Sequence, residues 1–172
     1  MNELIFYPRL NIFTYIIFSI IILILIIFFY YIIKAIRKRT KPLFIQYLLL
    51  VVVLFLIGHM IFNISIYHTM KYIFSENNLI LSCGPYKDII NCKDIKKWEI
   101  RDLKLNILAS FRFPGFALKD VLYSDLGIVR MYSTSSLKNV LLLYTNDRKY
   151  GISPYKIDDF INELKKRVNQ YQ

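Results

Sequence analysis

The residues of this sequence that are best suited to chemistry are two cysteines and two histidines, Cys83, Cys92, His59 and His68. Thiolates and imidazoles bind zinc or act as nucleophile and base, but such sites need partners at short spacing, such as a C-x-x-C pair. No such pair is present. The histidines lie nine residues apart, about 900° of helix rotation, so on one helix they point to opposite faces. We predict no metal site and no cofactor.

The carboxylates offer no better catalytic arrangement. Asp94 and the pair Asp158-Asp159 could act as general acids, but a solvated turn and a helix N-terminus explain them more simply. The chain beyond residue 71 contains no histidine, and the whole sequence lacks the G-x-S-x-G, H-E-x-x-H and glycine-rich phosphate motifs. We therefore predict that the protein is not an enzyme.

The two cysteines fall on the two arms of one predicted hairpin. If the turn centres on Tyr86-Lys87, Cys83 and Cys92 lie diagonally on one face of the hairpin. A disulfide between them would then be strained. The pattern favours two packed thiols and leaves the disulfide open.

Two long apolar runs precede this region. The first, from Ile12 to Ile33, has no charge and as a helix would be about 33 Å long, enough for a hydrocarbon core of about 30 Å. The second, from Pro42 to Ile66, contains no Asp, Glu, Lys or Arg. The alternative of a cleaved signal peptide does not suit the first run, which is too long and is followed by Arg37-Lys38-Arg39. We predict two spanning helices.

The chain has a formal net charge of +11, and the position of the basic residues decides what this charge means. Basic stripes interleaved with aromatic residues are missing, so we predict no nucleic-acid partner. A dense basic group lies instead between the two apolar runs, and the positive-inside rule places such a short loop in the cytoplasm. Both chain ends are then predicted on the outer face of the cell membrane. The basic group consists of Lys34, Arg37, Lys38, Arg39 and Lys41.

After Lys71 short apolar runs alternate with turn residues, a pattern typical of antiparallel strands. A helix ends the chain, with Ser153 predicted as its N-cap and Pro154 as its first residue. Its apolar stripe has helical spacing and consists of Ile157, Phe160, Ile161, Leu164 and Val168. The predicted strands cover residues 79–83, 88–92, 96–103, 119–124, 128–133, 140–144 and 150–152.

About seven strands in a meander followed by one amphipathic helix is the order of a pleckstrin-homology-like (PH-like) barrel. The segment from about residue 70 to 170 resembles the bacterial membrane-associated PH-like domains. In one place it departs from their pattern, because bulky Leu118 and Lys119 replace a small residue expected a few positions after Pro114-Gly115. The similar positions are Tyr72-Ile73-Phe74 with Asn78-Leu79-Ile80 and Gly84, then Phe113-Pro114-Gly115-Phe116, and most specifically Lys149-Tyr150-Gly151-Ile152-Ser153-Pro154 followed by Asp159-Phe160 and Leu164.

The predicted architecture is two transmembrane α-helices followed by an α+β domain, a PH-like antiparallel β-barrel of about seven strands capped by a C-terminal helix. Residues 1–70 are predicted as the membrane anchor, with helices at about 12–33 and 42–66 and a basic loop at 34–41. Residues 71–172 are predicted as the PH-like domain.

The resemblance implies a binding role rather than a reaction. We expect the domain to dock a protein or peptide partner at the membrane surface, since sheet edges and pockets commonly hold such partners. The alternative is a bilayer-surface sensor or antimicrobial-peptide immunity factor, because some similar small membrane proteins are associated with self-protection. Phosphoinositide recognition is not expected, because the first hairpin turn offers one lysine, Lys87.

The candidate contact region is the irregular stretch from residue 105 to 118. It is rich in apolar residues yet fits neither strand nor helix periodicity. Part of it must be core, and any exposed remainder near the bilayer would contact a partner. A long ordered loop that buries all of its aromatic rings is an equally open alternative. The candidate contact residues are Ile107, Leu108, Phe111, Phe113 and Phe116.

Overall fold

The computed structural model of the protein describes residues 3–38, 43–104, 106, 116–135 and 137–170. Its helices are Ile12–Lys38 (α1), Leu43–His68 (α2) and Ile157–Asn169 (α3). Its strands are Leu4–Phe6 (β1), Lys71–Ser75 (β2), Asn78–Cys83 (β3), Tyr86–Asn91 (β4), Lys97–Arg101 (β5), Ala117–Tyr123 (β6), Gly127–Ser133 (β7), Val140–Tyr144 (β8) and Lys149–Ile152 (β9). The described residues form two compact units, one of residues 12–66 and one of residues 3–11 with 67–170.

Helix α1 covers the first predicted apolar run, and α2 covers the second from Leu43 onward, since Pro42 lies outside the described residues. Both helices extend beyond the predicted C-terminal ends of the runs. Both are long and apolar enough to cross a membrane, and only 11% and 17% of their most apolar stretches are buried. A core helix of a soluble protein would be mostly buried. The predicted start of the basic loop at residue 34 was wrong, because α1 continues to Lys38. Arg37 and Lys38 occupy the last turn, where the helix dipole favours positive charge.

The first sheet has the strand order β1-β2-β3-β4, and every pair in it is antiparallel. In β2 and β3 buried and half-exposed residues alternate, so that one face of the sheet is covered. β1 pairs with β2, with Ile5 opposite Ile73. β1 was not predicted from the sequence, because a strand of three residues is too short to show the two-residue alternation of side chains.

The second sheet has the order β5-β8-β9-β7-β6 and is not the predicted meander. β9 lies between β8 and β7, and its pairing with β7 is parallel. β7 and β8 are therefore not partners in a tight hairpin, because β9 separates them in the sheet. β8 is buried on both faces, as expected for a central strand.

The two sheets form a PH-like sandwich, and within the described residues they do not close into a barrel. All seven predicted strands are present, with ends shifted by a few residues, and β1 and β2 are additional. One core cluster covers the second sheet and consists of Leu103, Ala117, Val121, Tyr123, Val129, Met131, Val140 and Leu142.

Helix α3 packs through the predicted stripe, whose residues Phe160, Leu164 and Val168 are buried. The predicted N-cap was wrong. The helix begins at Ile157, and its capping position, Lys156, makes no side-chain capping bond. Ser153 does not cap because both its polar groups are used elsewhere, its N–H by the Tyr72 hydroxyl and its own hydroxyl by Thr134.

The turn of the β3–β4 hairpin lies two residues earlier in the chain than was predicted from the sequence. Cys83 lies opposite Tyr86, so Gly84 and Pro85 form a two-residue turn. Gly84 has a φ of 56°, which glycine adopts without strain at the first position of such a turn. The Gly84 N–H also donates to the Thr69 hydroxyl at 2.6 Å.

Candidate functional site

A groove of about 570 Å³ lies between β1 and α3, and we call it the β1–α3 groove. The consecutive residues from Leu4 to Tyr7 line one wall. Since neighbouring strand residues point to opposite faces, a wall made of consecutive residues follows the edge of the strand and not one of its faces. The other wall is formed by Tyr155, Lys156, Asp159, Asn162, Glu163 and Lys166.

A cluster of aromatic rings fixes β1 against the helix. The ring of Phe6 lies edge-on to Phe160 and to Phe74, with centroids 5.2 Å and 5.8 Å apart. Phe160 also contacts Phe74 at 4.9 Å and Tyr72 at 6.0 Å. Edge-on contacts between aromatic rings are favourable beyond the area that they bury. The groove therefore has a rigid floor even though β1 is short.

Backbone hydrogen bonds hold the chain between β1 and α1 against the segment that leads into α3. The Arg9 N–H donates to the Ser153 carbonyl at 2.8 Å, and the Tyr155 N–H donates to the Tyr7 carbonyl at 2.9 Å. The Thr134 hydroxyl donates to the Arg9 carbonyl at 2.5 Å. The segment Ile152-Ser153-Pro154 thus holds the N-terminal segment in contact with the rest of the domain.

Charges of both signs surround the groove. Glu163 pairs with Arg167 at 2.7 Å and with Lys166 at 3.9 Å, and Lys156 pairs with Asp159 at 3.9 Å. The pairs on the exposed rim contribute little to stability. Because the signs are balanced, the groove does not select a strongly acidic or strongly basic partner.

The chain matches a known protein family. A model of the bacterial PH domain matches residues 70–168, which is more than half of the chain. The chain belongs to the bacterial PH domain family. β2 to β9 and almost all of α3 lie within the matched residues, whereas β1 lies outside them.

A relative of this PH domain protein is an uncharacterised protein of Clostridium acetobutylicum, which is 36% identical over 107 residues. The match covers 58% of this chain and 34% of the relative, so the chain spans about a third of that protein's length. No solved structure matches the chain.

Inside the PH domain, the hydroxyl of Tyr72 joins the two sheets. It donates to the Tyr132 carbonyl of β7 at 2.7 Å and accepts from the Ser153 N–H at 3.2 Å. Tyr72 is fully buried, and burial raises the pKa of its phenol above the usual range. The group therefore stays a neutral donor at physiological pH, as a structural bond requires.

A second polar link between the sheets is the ion pair of Arg130 with Asp88, at 2.8 Å. Asp120 lies 3.5 Å from the same guanidinium. The hydrogen bond and the charge of Asp88 raise the pKa of Arg130. Proton transfer at neutral pH needs a group that titrates near pH 7, and a guanidinium with a raised pKa does not. The pair suits a structural role.

Both cysteines are buried, and neither forms a disulfide. In the hairpin register Cys83 lies at the turn, whereas Cys92 follows Asn91 at the opposite end of the hairpin. Asn91 pairs with Asn78, so six residue steps of strand, about 20 Å, separate the two cysteine positions, far more than a disulfide spans. The interpretation as two packed thiols is confirmed. Burial raises the pKa of Cys83 to about 12 and also raises the pKa of Cys92.

The histidines lie in or at the end of α2. The His59 ring stacks on Phe55 of the same helix, and the His68 ring contacts Tyr67 edge-on. Among the described residues no three His, Cys, Asp or Glu side chains are grouped so that they could hold a metal ion.

The candidate contact region falls mostly outside the described residues. Ile107, Leu108, Phe111 and Phe113 are not among them. Phe116 is described, and it is buried with its ring 5.6 Å from that of Tyr67. The β1–α3 groove was missed by sequence reasoning, because β1 was not predicted. The apolar residues Leu4, Ile5 and Phe6 before the first span were its one signal in the sequence.

Proposed function

We propose that this two-pass membrane protein docks an extended segment of a protein or peptide partner in the β1–α3 groove, without catalysing a reaction. The observation that carries the proposal is the position of β1 at the end of its sheet, beside the groove. The main-chain groups on the outer edge of such a strand can form a ladder with an added strand, and adjacent pockets then select side chains.

The exposed apolar residues of β1 support this proposal. Leu4 and Ile5 are partly exposed on a short strand that is held rigidly by Phe6. Exposed apolar side chains at a sheet edge favour association, and monomeric proteins usually shield such edges. A partner segment of alternating apolar and polar residues would fit between β1 and the mixed charges of α3. The stretch from residue 105 to 118 stays a second proposed contact region.

The arrangement of the chain ends supports a two-pass topology. Residues 3–11 belong to the same compact unit as the PH domain, so the chain must leave and return to one side of the membrane. An even number of crossings satisfies this requirement. We place that side outside the cell, because the connection between α1 and α2 carries the dense basic group.

Site-specific photo-crosslinking tests the docking site. A photoreactive amino acid replaces Ile5 in the full chain in its own cells, and a matched variant carries it at the more exposed Ile128 of β7. We expect one protein to be crosslinked from position 5 and not from position 128, always through the same segment. A synthetic peptide of that segment should then slow hydrogen exchange of the β1 amides in the purified chain. Equal crosslinking from both positions, or peptide binding that leaves β1 unprotected, would refute the site.

A scan of polar residues tests the absence of catalysis. Alanine at each Asp, Glu, Lys, Arg, Ser and Cys of the domain should give graded losses of crosslinking and of any cellular phenotype. Asp120 is the sharpest single case, since its carboxylate is largely exposed and its ion pair with Arg130 is loose at 3.5 Å. If Asp120→Asn abolished activity while stability and membrane insertion stayed intact, catalysis would replace docking.

A further inference from the structure

A second cleft, of about 320 Å³, is lined by residues of the PH domain unit that flank α1 and α2 in the chain, and we call it the juxtamembrane cleft. We propose that it binds one anionic membrane lipid, with an alkyl chain in the cleft and the phosphate attracted by basic residues that adjoin the lining residues in the chain. Its walls include Tyr7, Pro8, Leu10, Tyr67, Met70 and Tyr155.

Chain connectivity puts this cleft at the level of the lipid headgroups. Leu10 lies two residues before the first residue of α1, and Tyr67 lies in the last turn of α2. Met70 follows α2 by two residues. Residues this close to the ends of spanning helices lie at the membrane–water interface, where tyrosine is enriched because its ring is apolar and its hydroxyl is polar.

The cleft has an apolar floor and an exposed apolar rim. Tyr67 and Met70 are buried at its base, whereas Tyr7, Leu10 and Tyr155 are exposed. Such a rim is unfavourable in water but favourable against lipid chains. The volume lies at the lower end of the range of about 300–1,000 Å³ for small-molecule sites, which suits part of one alkyl chain.

Basic residues flank the cleft on each of its three chain segments. Arg9 lies between Pro8 and Leu10, Lys71 follows Met70, and Lys156 follows Tyr155. Lys156 is paired with Asp159 at 3.9 Å, so we assign the attraction of the phosphate to Arg9 and Lys71. Main-chain bonds of Arg9 to Ser153 and Thr134 hold its segment in place. Positive charge at headgroup level favours anionic over zwitterionic lipids.

Native mass spectrometry of the full chain in detergent tests the lipid site. The chain is titrated with palmitoyl-oleoyl phosphatidylglycerol or with the matching phosphatidylcholine, and the first bound lipid is counted. We expect half-saturation at an at least fivefold lower concentration for phosphatidylglycerol. Leu10→Gln should raise the half-saturation concentration for both lipids at least fivefold. Arg9→Gln should remove the preference for phosphatidylglycerol and leave phosphatidylcholine binding unchanged.

The matched control is Ile128→Gln, because Ile128 is 67% exposed and Leu10 is 64% exposed, and Ile128 lies outside the cleft. It should bind both lipids as the wild type does. Tyr155→Gln is a second cleft variant in case Leu10→Gln does not fold. Equal half-saturation for the two lipids, unchanged binding by the folded cleft variants, or an equal loss in Ile128→Gln would overturn the proposal. Leu10 does not line the β1–α3 groove, so the outcomes for the Leu10 variant leave the docking proposal untouched, whereas Tyr155 lines both sites.

Discussion

Lys119 adopts a φ of 70° within β6, in the left-handed region that costs a residue with a side chain about 1–2 kcal/mol. It lies at the place where the related domains are expected to have a small residue. Its ammonium group lies 4.2 Å from the centroid of the Tyr86 ring, a cation–π contact that offsets about 0.5–1 kcal/mol. This cation–π contact therefore offsets part of the cost of the left-handed conformation at Lys119.

Because of this conformation, we predict that the usual order of stability, with the alanine variant above the glycine variant, is inverted at position 119. Lys119→Gly should be more stable than Lys119→Ala by about 1 kcal/mol, because only alanine retains the strain. At Leu122, a β6 residue outside the left-handed region, glycine should be the less stable of the two. The measurement is urea unfolding of the full chain in detergent, followed by the fluorescence of Trp98, the single tryptophan of the sequence, which lies in the domain. The same order at both positions would show that φ at 119 is not positive.

Gly151 is required for close packing in the centre of the second sheet. A Cβ atom added there would overlap the Sδ of Met131 and would lie 3.3 Å from Val140. Met131 is fully buried, so it has little room to move. Gly151→Ala should destabilise the domain by about 1–3 kcal/mol, as overpacking of cores does.

A double variant isolates the cause of that loss. Met131→Val removes the overlapping sulfur, so adding Gly151→Ala to it should cost at least about 1 kcal/mol less than in the wild type. Gly58→Ala is the control, because no atom lies within 4 Å of its added Cβ. Additive effects in the double variant would mean that another contact requires the glycine.

At the scale of elements, helix α3 packs on the first sheet through the ring of Phe160. Phe160 is fully buried among Phe6, Tyr72 and Phe74. Phe160→Ala should lower the free energy of unfolding by about 3–5 kcal/mol, because it removes a large side chain and leaves a cavity. Asn162→Ala on the exposed side of the same helix should change it by less than about 0.5 kcal/mol. Urea unfolding measures both, and a loss below about 1 kcal/mol for Phe160→Ala would mean that α3 does not pack on the sheet.

Strands and helices with long, regular patterns could be predicted from the sequence. The stripe of α3 and the short apolar run of β3 depend on residues close in the chain, so both can be recognised directly. Pairings between distant residues could not be predicted in this way. The parallel pairing of β9 with β7 joins strands that β8 separates in the chain, and local periodicity does not record it.

The candidate site shows the same limit. Ser153 and Pro154 have the residue types of a helix N-terminus, so the local pattern favoured a cap. Ser153 instead accepts hydrogen bonds from Thr134 and Arg9, and Pro154 lies opposite Pro8 in an isolated β-bridge. The tertiary fold sets the positions of these partners. The groove was missed for the same reason, since one of its walls precedes the membrane helices and the other ends the chain.

At the scale of the whole molecule, the two ends of the sequence form one folded unit. The N-terminal strand and the segment before α1 are bonded to the PH domain, although both membrane helices separate them in sequence. Folding of the domain therefore requires that the helices bring residues 3–11 back to the same side. Any partner or lipid at the groove or the cleft would contact both ends of the chain at once.

Cysteine labelling tests on which side of the membrane this unit lies. Ile128→Cys places an exposed thiol on the domain, and Thr40→Cys places one in the connection between α1 and α2 while keeping every basic residue. The native thiols add no background, because both are buried and the raised pKa of Cys83, about 12, keeps it in the unreactive protonated form at pH 7.

With a membrane-impermeant maleimide, we expect the thiol introduced at position 128 to be labelled in intact cells. The thiol introduced at position 40 should be labelled only after permeabilisation, because the positive-inside rule predicts a cytoplasmic position for the basic connection. A reporter that is active only outside the cell should likewise work when it is fused after Gln172. Labelling of position 40 in intact cells, with position 128 protected, would reverse the orientation and leave the two-pass topology standing.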